Sequence, residues 1–185
     1  MLLNLHTSRL FLAGLLAASV ALYAEAPVPA SGNTTVVLVR HAEKATDDPR
    51  DPSLSAAGQK RAAALAAALE AADVKAVYAT QFKRTRATAE PLARRLGLSV
   101  VERPVAGDAS VYARDLAHEV LAQQAGKTVL VVGHSNTVPE LVKAFSGVAV
   151  APITDEEYDH LFIVVVPSSG AARLVKTRYG APGTP

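Results

Sequence analysis

Two short apolar runs in the chain each end on a histidine, and no other feature limits the fold so sharply. Val36-Val37-Leu38-Val39 runs into Arg40-His41-Ala42-Glu43-Lys44, and Val129-Leu130-Val131-Val132 runs into Gly133-His134-Ser135-Asn136. Both runs are rich in β-branched residues and too short for buried helices, so they predict fully buried strands. Each histidine then sits where a strand opens into a loop. In open α/β sheets that carboxyl edge is where ligands bind. Two histidines there, one of them beside an arginine, point to a site for an anion and a nucleophile.

The rest of the chain alternates strand and helix signals. Ser55 reads as an N-cap, followed by an alanine-rich helix to about Ala71 with Leu65 and Leu69 on one face. Strands are expected at Val74 to Ala79 and Ser99 to Val101. Helices are expected at Lys83 to Leu96, stopped by Gly97, and at Ala109 to Ala125, closed by Gly126. A strand at Thr128 to Val132 precedes a helix at Val138 to Phe145. A final strand pair, His160 to Val166 and Ala172 to Lys176, flanks the turn Pro167-Ser168-Ser169-Gly170. This order predicts an α/β domain, a three-layer sandwich whose mainly parallel central sheet carries helices on both faces.

With 185 residues, the chain is long enough for one domain with a sizeable core. A formal charge of +2, 5% aromatic residues and no basic run interleaved with aromatics argue against a nucleic-acid partner. Cysteine is absent, which excludes disulfides, thiolate metal ligands and a cysteine nucleophile. At the N-terminus, His6 and Arg9 precede the apolar stretch Leu10 to Leu22, and Tyr23-Ala24-Glu25-Ala26 follows. That is the pattern of a secretory signal peptide cleaved after Ala26 or Ala24. The apolar run is short for a membrane span of about 20 residues. The expected layout is a signal peptide over 1–26, a flexible leader over 27–33, one domain over 34–178 and a disordered tail over 179–185. The mature domain would be periplasmic or secreted, with no membrane span remaining.

Four stretches, taken in order, resemble the motifs of the histidine phosphatase superfamily, which includes the phosphoglycerate mutase-like enzymes. Val37 to Lys44 resembles its Arg-His signature. Leu54-Ser55-Ala56-Ala57-Gly58 resembles its Leu-Ser-x-x-Gly helix start. Thr80 to Ala89 resembles its Ser-x-x-x-Arg-x-x-x-Thr-Ala segment, and Val132 to Asn136 its second-histidine motif. The resemblance implies a phosphoglycerate mutase-like fold of the short build. It makes His41 the nucleophile that becomes a phosphohistidine. Arg40 and Arg84 become the guanidinium forks for the phosphoryl oxygens, and His134 a further donor to them. Most catalysis in phosphoryl transfer is positioning and charge stabilisation, so no metal or other cofactor is implied. Covalent capture on His41 splits one hard step into two.

Other residues carry two roles at this level. Arg86 lies two residues beyond Arg84, on another helix face, as a structural residue or a secondary substrate contact. Asn136 either binds the phosphate or caps the next helix, and Glu43 is a candidate substrate contact. His6, His118 and His160 are expected to do no chemistry. A leaving alkoxide needs a proton. Asp108 is the first candidate donor, with helix capping as its alternative; Glu43 and then Glu102 follow. The mutase-like branch holds its glutamate in a longer segment than Glu102 to Ala109. The shortness of that segment argues against a mutase.

The resulting expectation is a secreted, metal-independent phosphomonoesterase, a phosphoric monoester hydrolase of the histidine acid phosphatase kind. It would act on a small phosphorylated substrate such as an envelope sugar phosphate. A catalytically weak phosphate-binding module and a phosphomutase are the alternatives. Substrate choice falls to the loops Ala45 to Ser53, Pro104 to Ser110 and Val148 to Tyr158. The acidic run Thr154-Asp155-Glu156-Glu157 would repel a polyanion if it faced the pocket.

Overall fold

In the computed structural model, residues 32–182 are described. The expected signal peptide, residues 27–31 of the expected leader and residues 183–185 of the expected tail lie outside them. The elements are β1 (Thr34–Arg40), α1 (Ala56–Ala68), β2 (Val74–Ala79), α2 (Lys83–Leu96), β3 (Val100–Glu102), α3 (Ala109–Gln123), β4 (Thr128–Gly133), α4 (Thr137–Ser146), β5 (His160–Val166) and β6 (Arg173–Arg178). Six strands form one sheet in the order β3-β2-β4-β1-β5-β6. β3, β2, β4 and β1 pair in parallel, and β5 pairs antiparallel with both β1 and β6.

The two-residue period of the strands divides the core between the faces. Val36, Leu38, Val129 and Val131 pack with Tyr112, Leu116 and Val120 of α3 and with Leu141 and Phe145 of α4. Val37, Val39, Leu130 and Val132 pack with Leu65 of α1 and Leu92 of α2. A strand covered on both faces must be apolar at every position. That explains the unbroken Val/Leu runs, and the three expected layers are present.

This topology locates the site. After β1 the chain crosses by α1 on one face; after β4 it crosses by α4 on the other. The two neighbouring strands therefore send their loops apart, and a crevice opens between their carboxyl ends. Pairing of Arg40 with Gly133 sets the two histidines side by side, and the His41 amide donates to the Gly133 carbonyl at 2.9 Å.

Two boundaries differ from expectation. α1 stops at Ala68, three residues short of Ala71. The alanine-rich sequence carries no stop signal there, and the chain turns through Asp73, a non-glycine residue at φ 51°. The ordered domain also runs beyond Arg178. Tyr179 is buried, its amide donates to the Asp159 carbonyl, and Arg61 Nη1 donates to the carbonyls of Tyr179 and Ala181. Residues 179–182, expected in a disordered tail, are thus held by a buried arginine.

Candidate active site

The loop that carries His41 is fastened on three sides. Glu43 and Ser53 carbonyls accept from the amides of Ser55 and Ala45, and Lys44 bridges to Leu54. Ser55 Oγ caps α1 by accepting from the Gly58 amide. A Cβ on Gly58 would collide with the Glu43 carbonyl, so this position admits glycine alone. The Ala42 amide donates to Thr88 Oγ1, which itself donates to the Arg84 carbonyl, tying the loop to α2.

His41 is 4% exposed. Its Nδ1 lies 2.8 Å from the Ala42 carbonyl, an acceptor only, so Nδ1 carries the proton and Nε2 keeps its lone pair. Burial lowers its pKa to about 3; the Ala42 carbonyl opposes this, while His134, Arg40 and Arg84 add to it. The ring is therefore neutral across ordinary pH. The His134 ring stands edge-on at 5.3 Å between centroids. His134 Nε2 is held by Thr80 Oγ1 at 2.9 Å, and burial, then Arg84 and Arg40, lower its pKa to about 4. Phe82 closes the other side of that ring at 5.2 Å.

Two arginines face these histidines. Arg40 is 3% exposed. Its Nη1 donates to the carbonyls of Thr154, Asp155 and Glu157 at 2.6, 3.1 and 3.1 Å. Its guanidinium lies 4.1 Å from the centre of the Tyr158 ring. Arg84, in the first turn of α2, stacks on Phe82 at 4.4 Å and approaches Asp51 Oδ1 at 3.7 Å. Burial lowers the Arg84 pKa, Asp51 raises it and Arg40 lowers it further. Arg40 Nε and Arg84 Nη1 are buried without a hydrogen-bond partner. Two cations with buried, orphaned donor atoms are costly unless an anion completes them.

The cleft above these groups has a volume of about 390 Å³. All three loops expected to choose substrate contribute to it: Pro49, Arg50 and Pro52 from the first, Val105 from the second and Asp155 from the third, with Lys44 preceding the first. Of the expected site residues, Arg40, His41, Arg84, His134 and Asn136 line this cleft. Asn136 takes the cap position of α4 but makes no capping bond. Instead, Thr137 Oγ1 accepts from the His134 amide at 2.8 Å.

The expected proton donors stand elsewhere. Asp108 does not line the cleft; its Oδ1 accepts from the Ser110 and Val111 amides and the Ser110 hydroxyl. These bonds, the Ser110 side chain's first, lower its pKa, the wrong direction for an acid. Asp108 is the N-cap of α3, which corrects its assignment as the donor. Glu43 also lies outside the cleft lining, gripped through Nε and Nη2 by the buried Arg61 at 2.7 to 3.0 Å. It fixes α1 to the loop that carries His41. Glu102 pairs with Arg86 on the surface at 3.1 Å.

Sequence reasoning missed Thr80, Asp51, Asp155 and Tyr158. Thr80 stands at the first position of the Thr80-x-x-x-Arg84-x-x-x-Thr88 motif, a usable signal. The other three reach the site through loops, and no local spacing marks them.

The histidine phosphatase superfamily (branch 1) model matches residues 36–111. That span contains Arg40, His41 and Arg84 in the geometry just described. Over this segment the chain is similar to the histidine phosphatase superfamily. Solved structures of the same fold align over most of the chain. The protein histidine phosphatase SixA, complexed with tungstate, is 21% identical with a TM-score of 0.62, covering 78% of this chain and 96% of its own. Mycobacterial glucosyl-3-phosphoglycerate phosphatase Rv2419c is 15% identical with a TM-score of 0.63, covering 80% and 100%. Phosphoserine phosphatase from Entamoeba histolytica, with 3-phosphoglyceric acid, is 14% identical with a TM-score of 0.60, covering 80% and 97%. No curated protein matches the chain by sequence. Among the described residues, no helix is long and apolar enough to cross a membrane.

Proposed function

We propose that the protein is a metal-independent phosphatase that hydrolyses phosphomonoesters through a phosphohistidine on His41. The observation that carries this is the pair of orphaned guanidinium donors, Arg40 Nε and Arg84 Nη1, beside an unprotonated imidazole. A phosphoryl group seated on both arginines presents its phosphorus to His41 Nε2. The arginines neutralise charge on the equatorial oxygens and the neutral His134 can add a hydrogen bond, the main demand of this chemistry. Water then attacks the phosphohistidine and releases phosphate.

The N-terminal sequence supports secretion, so the substrate would be a small phosphorylated compound outside the cytoplasm, an envelope sugar phosphate among them. Recovery from the periplasm with a mature N-terminus near Pro27 or Glu25 is the expected result; an intact Met1 on a cytoplasmic protein would sink it.

The deciding assay is hydrolysis of p-nitrophenyl phosphate in EDTA by the wild type and by His41→Ala. Turnover that the variant loses, with an acid-labile phosphoprotein trapped from the wild type, is expected. Silence from a folded wild type would favour a binding module without turnover. Phosphate moved within one substrate rather than to water would favour a mutase.

A further inference from the structure

Hydrolysis of an alkyl phosphate requires a proton for the leaving oxygen, and the expected donors are committed elsewhere. This question rests on the phosphatase reading above. Five carboxylates near the site can be compared. Glu43 is gripped by Arg61, Asp108 caps α3 and Glu102 pairs with Arg86. Asp51 Oδ1 accepts from the Lys83 amide at 2.9 Å, capping α2, and faces Arg84.

Asp155 differs from all four. Among the described residues it is the one carboxylate lining the cleft. Its side chain is 85% exposed and makes no hydrogen bond; its ion-pair contact is Arg40 Nη2 at 3.6 Å. Its place is nevertheless fixed, because its own carbonyl and those of Thr154 and Glu157 hold Arg40 Nη1. The segment is braced behind: Glu157 Oε2 accepts from the Thr154 amide, and Glu157 Oε1 meets His160 Nε2. An exposed carboxyl thus hangs from a fixed backbone, beside the arginine that would hold the phosphoryl group.

We propose that Asp155 is the general acid and base of this site. The charged groups around it are Arg40 on β1, Lys44, Arg50 and Arg84 across the cleft, and Glu156, Glu157 and Tyr158 on its own segment. A phosphoryl ester seated on Arg40 would place its leaving oxygen on the side of the cleft that Asp155 lines. As His41 Nε2 bonds to phosphorus, the phosphorus–oxygen bond to the leaving group breaks, and that oxygen takes the Asp155 proton. The resulting carboxylate then accepts a proton from the water that attacks phosphorus. The nitrogen–phosphorus bond breaks, phosphate leaves, and His41 and protonated Asp155 are restored.

The test compares Asp155→Asn with wild type on glycerol 2-phosphate and on p-nitrophenyl phosphate, whose leaving group needs little protonation. Expected is a fall in kcat/KM on the alkyl ester on the order of 10²–10⁴-fold. The fall on p-nitrophenyl phosphate should be far smaller, and Asp155→Glu should recover part of the loss. Equal losses on both esters would show that Asp155 only supports Arg40, and would overturn the proposal. An unchanged alkyl rate, or a wild type active on p-nitrophenyl phosphate but inert on the alkyl ester, would overturn it too. A wild type silent on both esters would instead defeat the phosphatase reading.

Discussion

The two arginines of the cleft are held in opposite ways. Arg40 is gripped by neutral carbonyls and stacked under Tyr158, so its backbone partners leave its charge uncancelled; the nearby Asp155 carboxylate is exposed at 3.6 Å. Arg84 faces Asp51, which is anchored by the Lys83 amide and cannot easily leave. One arm of the clamp offers most of its field to a ligand, and the other shares it with a resident carboxylate. A site built this way can bind an anion firmly on one side and still release it on the other.

Substitution should separate the two arms most widely. Arg40→Lys loses the planar fork and every carbonyl contact shaped to it. It should lower kcat/KM for p-nitrophenyl phosphate on the order of 10²–10³-fold. Arg84→Lys should cost roughly ten- to a hundredfold. Equal losses would remove the distinction.

The histidines packed between the arms extend the contrast to stability. His41 and His134 stay neutral in the fold down to about 3 and 4, whereas the unfolded chain takes up protons near 6.5. The unfolded state thus binds more protons below 6.5. Stability is complete above that pH and falls as pH drops toward 4 and 3, by up to about 1.4 kcal/mol per pH unit for each histidine. Thermal midpoints of wild type should fall more between pH 7 and 4.5 than those of a His41→Asn, His134→Asn double variant. Parallel curves would show that these histidines do not govern the acid limb.

A smaller effect is expected at Asp51. Asp51→Asn keeps an acceptor for the Lys83 amide but removes the charge that competes for Arg84. The inhibition constant of inorganic phosphate should drop roughly two- to fivefold. A rise would mean that Asp51 orients Arg84 rather than rivals the ligand.

The parts legible in sequence are those with local causes. Buried strands announce themselves by runs such as Val129–Val132, and Gly97 ends α2 in the left-handed region at φ 65°. The histidines and Arg40 were readable because strand ends place them. Asp108 misled because the same carboxylate at the same loop suits a cap or an acid, and only the Ser110 and Val111 amides decide between them. Arg40 meets its supporting segment across 114 to 117 residues of sequence, and Glu43 meets Arg61 only once α1 folds back. Such pairings are set by topology and leave no periodic trace.

Arg61 carries a practical consequence for handling this protein. Its guanidinium grips Glu43 behind the nucleophile with Nε and Nη2, and the chain near its end, at Tyr179 and Ala181, with Nη1. Trimming the polypeptide at the last strand would strip Nη1 of both acceptors. The disturbance would travel one side chain inward, to the loop that presents His41. A shortened version designed for crystallisation could therefore lose activity while keeping every residue of the cleft.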